Sequence, residues 1–260
     1  MNKTDSFEWL RRDKWHYNFE EFQAAMDRSK QECADLKKIH EFFFMLSCIC
    51  VTFYKMPSFF DKDRMMTERY SQSLVFHCFL ESLRISSCNT FLSASGLYKN
   101  AYHNIRYVLE SIVQSLYMDS RHSMVYFPTK TEILEEVEDL PQYRGVQLLK
   151  AIKTDNKEQI MREYNRINEE YKNLSKKVHF TYRQLLETSK DFGESNLRST
   201  KVDCTEVTEI YNSMKTVYDF FFLLLFTHFT EVKEPLTKNE EFVKAVKEHE
   251  LKLTCEILGI

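Results

Sequence analysis

The sequence predicts an all-α protein, an antiparallel bundle of four to five long helices with a smaller layer of short helices. Glycine and proline each occur only 4 times in 260 residues, which leaves few positions for tight turns and hairpins. Long segments carry apolar residues at helical spacing, and strand-like alternation never extends beyond a few residues. The chain is long enough for one large core, so we expect a single domain.

The first helices are bounded by recognisable signals. One helix is expected from about Asn18 until Pro57, which cannot donate the backbone hydrogen bond that a continuing helix needs. A second is expected to begin at Asp61 or Asp63, because either carboxylate can cap a helix N-terminus. Gly96 suits the left-handed conformation that ends many helices, so the third helix should turn back upon the second.

The second half of the chain changes in character. Residues 129–177 are charged, with short apolar repeats, and they predict two or three shorter helices. A further helix is expected to start near Val178, and Asp203 or Thr205 should cap the next one. That helix should reach the apolar run at 220–229.

The expected organisation has three parts. They are a core bundle (about 18–122 and 178–232), a charged helical adjunct (about 129–177) and a C-terminal amphipathic helix (about 235–258). The last segment carries apolar residues that one bundle is not expected to bury entirely, so we predict a homodimer.

Composition argues against several classes of protein. The net charge of −3 gives no overall basic excess for nucleic acid or an acidic membrane. The apolar runs at 42–54 and 220–229 are shorter than a membrane span, and they are expected to be buried helices. The 7 cysteines are odd in number and include no CxxC pair. We therefore expect a cytoplasmic protein with reduced thiols, without a membrane segment, a cofactor or a bound metal.

The third helix carries the first candidate site. Its amphipathic pattern places His103, Arg106 and Glu110 together at the edge of the apolar stripe. An exposed Arg–Glu pair contributes little to stability, but a partly buried pair is costly unless it has a use. The trio is therefore either a structural polar seam or a catalytic or ligand-binding site.

A second candidate lies in the segment NLSKKVHFTYR. Ser175, Lys176, Lys177 and Arg183 supply hydrogen-bond donors around His179. Because histidine titrates near neutral pH, a histidine among cations suits general acid or base catalysis on a phosphodiester. We assign His179 a catalytic role and the four neighbours a ligand-binding role, against the alternative that the histidine is structural.

These two segments together resemble prokaryotic helical bundles of the HEPN (higher eukaryotes and prokaryotes nucleotide-binding) and abortive-infection kind. Those bundles pair an Arg-x-x-x-Glu helix with a later Ser-x-x-Val-His segment, and Arg106, Glu110, Ser175, Val178 and His179 match that pattern within residues 74–186. The resemblance implies nucleotide binding or metal-independent RNA cleavage, with Arg106, Glu110 and His179 in one pocket. The arginine that precedes the histidine in catalytic HEPN proteins has no counterpart here, so a non-catalytic bundle is equally compatible.

Metal binding is a third alternative. His77 with Glu81, and His228 with Glu231, each place two ligand types on one helical face, as di-iron bundles do. The full set of paired motifs is absent, which favours core or seam histidines.

The sequence leaves two functions open. The first is a binding or regulatory module with an Arg-Glu-His pocket, whose partner is RNA, a nucleotide or another protein. The second is a HEPN-like ribonuclease of the defence or toxin kind.

Overall fold

The structure is a computed structural model that describes residues 33–63, 65–123, 125–138, 145–178 and 202–260. These ranges consist of helices, connecting turns and one isolated antiparallel bridge between Phe60 and Met66. The predicted all-α class is therefore confirmed. Residues 1–32, which include the predicted start of the first helix, lie outside the described residues.

The described α-helices are α1 (Ala34–Lys55), α2 (Glu68–Ser71), α3 (Leu74–Ala94), α4 (Tyr98–Arg121), α5 (Phe127–Glu138), α6 (Lys157–Val178), α7 (Cys204–His228), α8 (Lys233–Thr237), α9 (Glu240–Glu248) and α10 (Lys252–Leu258). Two 3-10 helices, Gly145–Ala151 and Thr230–Val232, lie between them. Helices α1, α3, α4, α6 and α7 have 21 to 25 residues each and form the body of the bundle.

Helix α4 lies at the centre of the bundle, because it packs against α3, α6, α7 and the first 3-10 helix. It follows α3 through a tight turn in which Gly96 has a φ of 72°. The amide of Leu97 donates to the carbonyl of Leu92 across this turn, at 2.8 Å. The prediction for Gly96 is thus confirmed, and the turn makes α3 and α4 antiparallel neighbours.

The predicted start of the second helix is wrong. Asp61 accepts hydrogen bonds from the amides of Asp63 and Met65, so its carboxylate closes a loop and caps no helix. The cap of α3 is Ser73, whose hydroxyl accepts from the amide of Phe76 at 3.1 Å. Serine satisfies an N-terminal amide as well as aspartate does, and the sequence offers both.

The charged middle segment contains a long helix, which corrects the prediction of only short ones. Helix α6 buries Ile160, Ile167 and Leu174, and this narrow stripe packs against α4 and α7. Apolar residues seven apart are enough to fix a helix whose other faces are polar. Val178 ends α6 and does not begin a new helix, and the remainder of the predicted helix after it lies outside the described residues.

Helix α7 supplies the most deeply buried segment. Asp203 caps it by accepting from the amides of Thr205 and Glu206, as predicted. Every side chain from Phe220 to Phe226 is inaccessible to solvent, which confirms the prediction for this part of the apolar run, whereas Thr227 and His228 are partly buried. In the ranges that the structure describes, no helix combines the length and apolar character needed to cross a membrane.

The other apolar run, at 42–54, is buried on one face only. Phe42 and Phe53 pack in the core, whereas Phe44, Val51 and Tyr54 are exposed. The difference arises because α1 lies on the outside of the bundle and contacts α3 and α7 along one side.

The C-terminal region, predicted as one amphipathic helix, contains the three short helices α8, α9 and α10. Glu250 has a positive φ of 51°, which breaks the helical path between α9 and α10. Phe242, Val246 and Leu251 are fully buried within the same chain. Most of the apolar surface that motivated the homodimer is therefore covered within the chain, while Leu258 is only partly buried, and the dimer stays a prediction.

Candidate functional site

Arg106 and Glu110 form an ion pair on α4, which corresponds to the third helix of the sequence analysis. The Nη2 atom of Arg106 donates to the Oε1 atom of Glu110 at 3.1 Å. Their side chains are 20% and 25% exposed, so the pair lies at the boundary of the core as expected.

Tyr171 on α6 completes this cluster, and sequence reasoning missed it. Its hydroxyl donates to Glu110 at 2.7 Å and accepts from Arg106 at 3.1 Å, and its ring lies 5.1 Å from the guanidinium. Burial, together with the Glu110 carboxylate, raises the pKa of Tyr171. Burial opposes the charge on Arg106, but Glu110 and Tyr171 outweigh it and raise the pKa of Arg106. Hydrogen bonds among the three side chains hold α4 against α6, so the cluster has a structural role.

The other predicted ligand-binding residues on α4 and α6 include two exposed side chains and one serine that bonds within its own helix. His103 and Lys176 are exposed. The hydroxyl of Ser175 donates to the carbonyl of Tyr171 within its own helix, at 2.8 Å.

Lys177 belongs to a second polar cluster, between α6 and α7. Its ammonium lies 3.7 Å from Glu206, bonds to Glu209 and lies over the ring of Tyr102. Burial opposes the charged form of Lys177, but the two carboxylates raise its pKa above the ordinary value. The charge of Lys177 is thereby matched within the protein.

His179 and Arg183 lie outside the described residues. The shared pocket of Arg106, Glu110 and His179 therefore stays a prediction.

A different group of polar side chains is buried at the C-terminal end of α4. Lys130 on α5 and Asp119 on α4 form an ion pair with an Nζ–Oδ1 distance of 2.8 Å, and their side chains are only 1% and 2% exposed. Lys130 also donates to the carbonyl of Gln72 at 2.7 Å. Removing two charges from water this completely is expensive unless they are paired and hydrogen-bonded, as they are here.

Asp119 also fixes the N-terminus of α3. Its carboxylate accepts from the hydroxyl of Ser73 at 2.7 Å and from the amides of Leu74 and Val75 at 3.2 and 3.0 Å. The partial positive charge of a helix N-terminus favours an anion in this position. One carboxylate thus links α3, α4 and α5.

His228, the last residue of α7, lies beside this carboxylate. Its Nε2 atom is 3.4 Å from the hydroxyl of Ser73 and 3.6 Å from Asp119. Burial lowers the pKa of His228, and the neighbouring Asp119 offsets only part of that effect. The imidazole is therefore neutral at neutral pH and can both donate and accept a hydrogen bond.

Ser73, His228 and Asp119 are the residue types of a hydrolytic triad, but their geometry differs from one. In a triad the histidine lies between the serine and the aspartate and uses a different ring nitrogen for each. Here Nε2 of His228 faces both partners, and Ser73 donates its proton directly to Asp119. The arrangement does not prepare a serine nucleophile.

These residues form the floor of a cleft of about 580 Å³. The cleft is lined by Glu68, Arg69, Gln72, Ser73, Asp119, Ser123, Val125, Tyr126, Lys130 and His228. Arg69 at its edge pairs with Glu231 at 2.8 Å, and the ring of Tyr126 is 65% exposed. The volume is typical of a small-molecule site.

Each histidine–glutamate pair considered for metal binding has other contacts. His77 bonds to the carbonyl of Ser71, and Glu81 pairs with Arg84. His228 faces Ser73 and Asp119, while Glu231 binds Arg69 and the hydroxyl of Tyr70. Among the residues that the structure describes, no three His, Cys, Asp or Glu side chains gather closely enough to hold a metal ion.

The chain was compared with families, curated proteins and solved structures. No protein-family model, no curated protein and no solved structure matches it. The site itself is therefore the basis for inferring a function.

Proposed function

We propose that the protein is a helical binding module whose small polar ligand occupies the cleft above Asp119, Lys130 and His228. The observation that carries this proposal is the Lys130–Asp119 ion pair, which is almost fully buried at the floor of an open cleft. A large pocket that joins convergent polar groups to a histidine with a shifted pKa is the default binding site of an uncharacterised fold.

The charges around the cleft favour a small ligand over RNA. The charged side chains that line the cleft balance, because the carboxylates of Glu68 and Asp119 match the cations of Arg69 and Lys130, and burial favours the neutral form of His228. A surface without an excess of positive charge attracts a polyanion such as RNA poorly, because binding to phosphates depends on lysine and arginine side chains. Tyr126 offers an exposed ring on which a planar ligand can stack.

Saturation-transfer NMR with a library of soluble aromatic fragments tests this proposal. We expect a subset of fragments to bind the wild-type protein and to lose binding in Tyr126→Ala. Tyr107→Ala is the matched control, since Tyr107 is also exposed but lies on α4 outside the cleft lining. Equal binding by all three proteins would place the fragments elsewhere and contradict the proposal.

The alternative function, a HEPN-like ribonuclease, has one structural observation in its favour. Helix α6, which carries Ser175 and Lys177, packs against the Arg106–Glu110 pair through Tyr171. Cleavage of a single-stranded RNA oligonucleotide in the presence of EDTA would support it if the activity is lost in His179→Ala and retained in His40→Ala, which replaces an exposed histidine on α1. An inactive wild-type protein would rule it out for that substrate.

We also propose a cellular location and an oligomeric state. The odd number of cysteines, 7, supports a cytoplasmic location with reduced thiols. The homodimer rests on analogy with related bundles, and light scattering at micromolar concentration tests it. A single particle of 31.3 kDa would contradict the dimer.

A further inference from the structure

Two cysteines lie where the starts of α1 and α7 meet. Cys33 is the N-cap residue of α1, and Cys204 is the first residue of α7. One turn further along, the hydroxyl of Thr208 on α7 donates to the carboxylate of Asp35 on α1 at 2.6 Å. This bond holds the two helix N-termini side by side, with one cysteine on each.

The two thiols differ in their access to solvent. Cys33 is 4% exposed, whereas Cys204 is exposed. Burial, followed by a hydrogen bond with the Cys204 thiol, raises the pKa of Cys33 to about 11. The two thiols therefore lie within hydrogen-bonding reach of each other, and of the two only that of Cys204 is exposed to solvent.

We propose that Cys204 and Cys33 form a peroxide-reactive dithiol, in which Cys204 is oxidised first and Cys33 then closes a disulfide. Peroxide reacts with the thiolate form of a cysteine that solvent can reach, and a second thiol in contact with the sulfenic acid can resolve it after losing its own proton. The reactant is a hydroperoxide, with hydrogen peroxide as the simplest member.

The reaction has two steps. The Cys204 thiolate attacks one oxygen of hydrogen peroxide, an S–O bond forms, the O–O bond breaks, and the departing hydroxide takes a proton to become water. Cys33 then loses its proton and attacks the sulfenic sulfur of Cys204. The S–S bond forms, the S–O bond breaks, and the released hydroxide leaves as a second water. Two thiols are oxidised by two electrons, and one peroxide is reduced to two waters.

The disulfide would join the starts of two helices that are roughly 170 residues apart in the chain. A cross-link over so long a loop restricts the unfolded chain strongly, so the oxidised protein should melt at a higher temperature than the reduced one. Dithiothreitol should reverse the change.

The test is peptide mapping of the folded, full-length protein after treatment with hydrogen peroxide. Unreacted thiols are alkylated, the protein is digested without reductant, and linked peptides are identified by mass spectrometry. All seven cysteines lie among the described residues and none forms a disulfide there, so the other five serve as internal controls. We expect the peptide linking Cys33 to Cys204 to be the dominant linked species.

Two variants separate the two steps. In Cys33→Ser the reaction should stop at the sulfenic acid of Cys204, which dimedone captures, and the linked peptide should be absent. Cys255→Ser removes a partly buried cysteine elsewhere and should form the 33–204 link as the wild type does. Over-oxidation of Cys204 in the wild type without a 33–204 link, or equal dimedone capture in the wild type and Cys33→Ser, would overturn the proposal.

Discussion

The Arg106 cluster and the Asp119 cluster lie on the same central helix, α4, but they are built differently. Arg106 and Glu110 are four residues apart, about one quarter exposed, and closed by a single tyrosine from α6. Asp119 is almost fully buried and bonds to Lys130 on α5 and to the N-terminus of α3. The first cluster joins two helices at the surface, whereas the second holds three helices and also lines a cleft. An ion pair alone therefore does not identify a candidate site. The Asp119 cluster is distinguished because it is buried, bonds to three helices and lines a cleft.

The largest expected effect comes from breaking the buried pair. Lys130→Met should lower the free energy of unfolding by about 3–5 kcal/mol, because the Asp119 carboxylate loses its cation inside the protein. Urea denaturation measures this change. Lys176→Met removes an exposed lysine and should change stability little. A loss in Lys130→Met no larger than in this control would mean that the pair is accessible to water.

A smaller effect is expected at the partly exposed pair. Arg106→Ala should lower the free energy of unfolding by about 1–3 kcal/mol, because the Glu110 carboxylate and the Tyr171 hydroxyl both lose their hydrogen bond with the guanidinium. His103→Ala, on the same helix but exposed, is the control and should have no measurable effect. If Arg106→Ala destabilised the protein as much as Lys130→Met, the distinction between the two clusters would fail.

The two clusters also differ in how far the sequence predicts them. Arg106 and Glu110 are found because a spacing of four on an amphipathic helix places them together whatever the rest of the fold does. Ser73, Asp119, Lys130 and His228 come from four separate helices or their caps, and no spacing rule links them. The one local signal, His228 near Glu231, leaves a metal motif and core or seam histidines as alternatives and favours the second, while the structure pairs each side chain with a residue distant in sequence.

The fold shows the same limit. The class, the caps at Gly96 and Asp203 and the buried run on α7 follow from local chemistry. The cap at Ser73 and the break at Glu250 are accompanied by tertiary contacts that the sequence alone does not show. Ser73 donates to Asp119 on α4, and the amides of Leu253 and Thr254, which follow the break, donate to Asp219 on α7.

The smallest effect concerns pH and is specific to the Asp119 cluster. The pKa of His228 is lowered by burial from its ordinary value of 6.5, so the folded state binds a proton less readily than the unfolded state. Its contribution to stability is complete above pH 6.5 and is lost as the pH falls below that value towards the lowered pKa. His228→Gln should therefore reduce the difference in unfolding free energy between about pH 7.5 and about pH 5.5. An unchanged difference would show that His228 titrates normally in the folded protein.

We propose that the cleft above Asp119, Lys130 and His228 is the ligand site of this protein. Crystals soaked with the aromatic fragments that bind in solution test it most directly, because the electron density locates the bound molecule. We expect fragments between the ring of Tyr126 and the imidazole of His228, with a polar atom within hydrogen-bond distance of the cleft floor. Fragments bound beside Arg106 and Tyr171, with the cleft free of them, would contradict the account and restore the pair on α4 as the functional site.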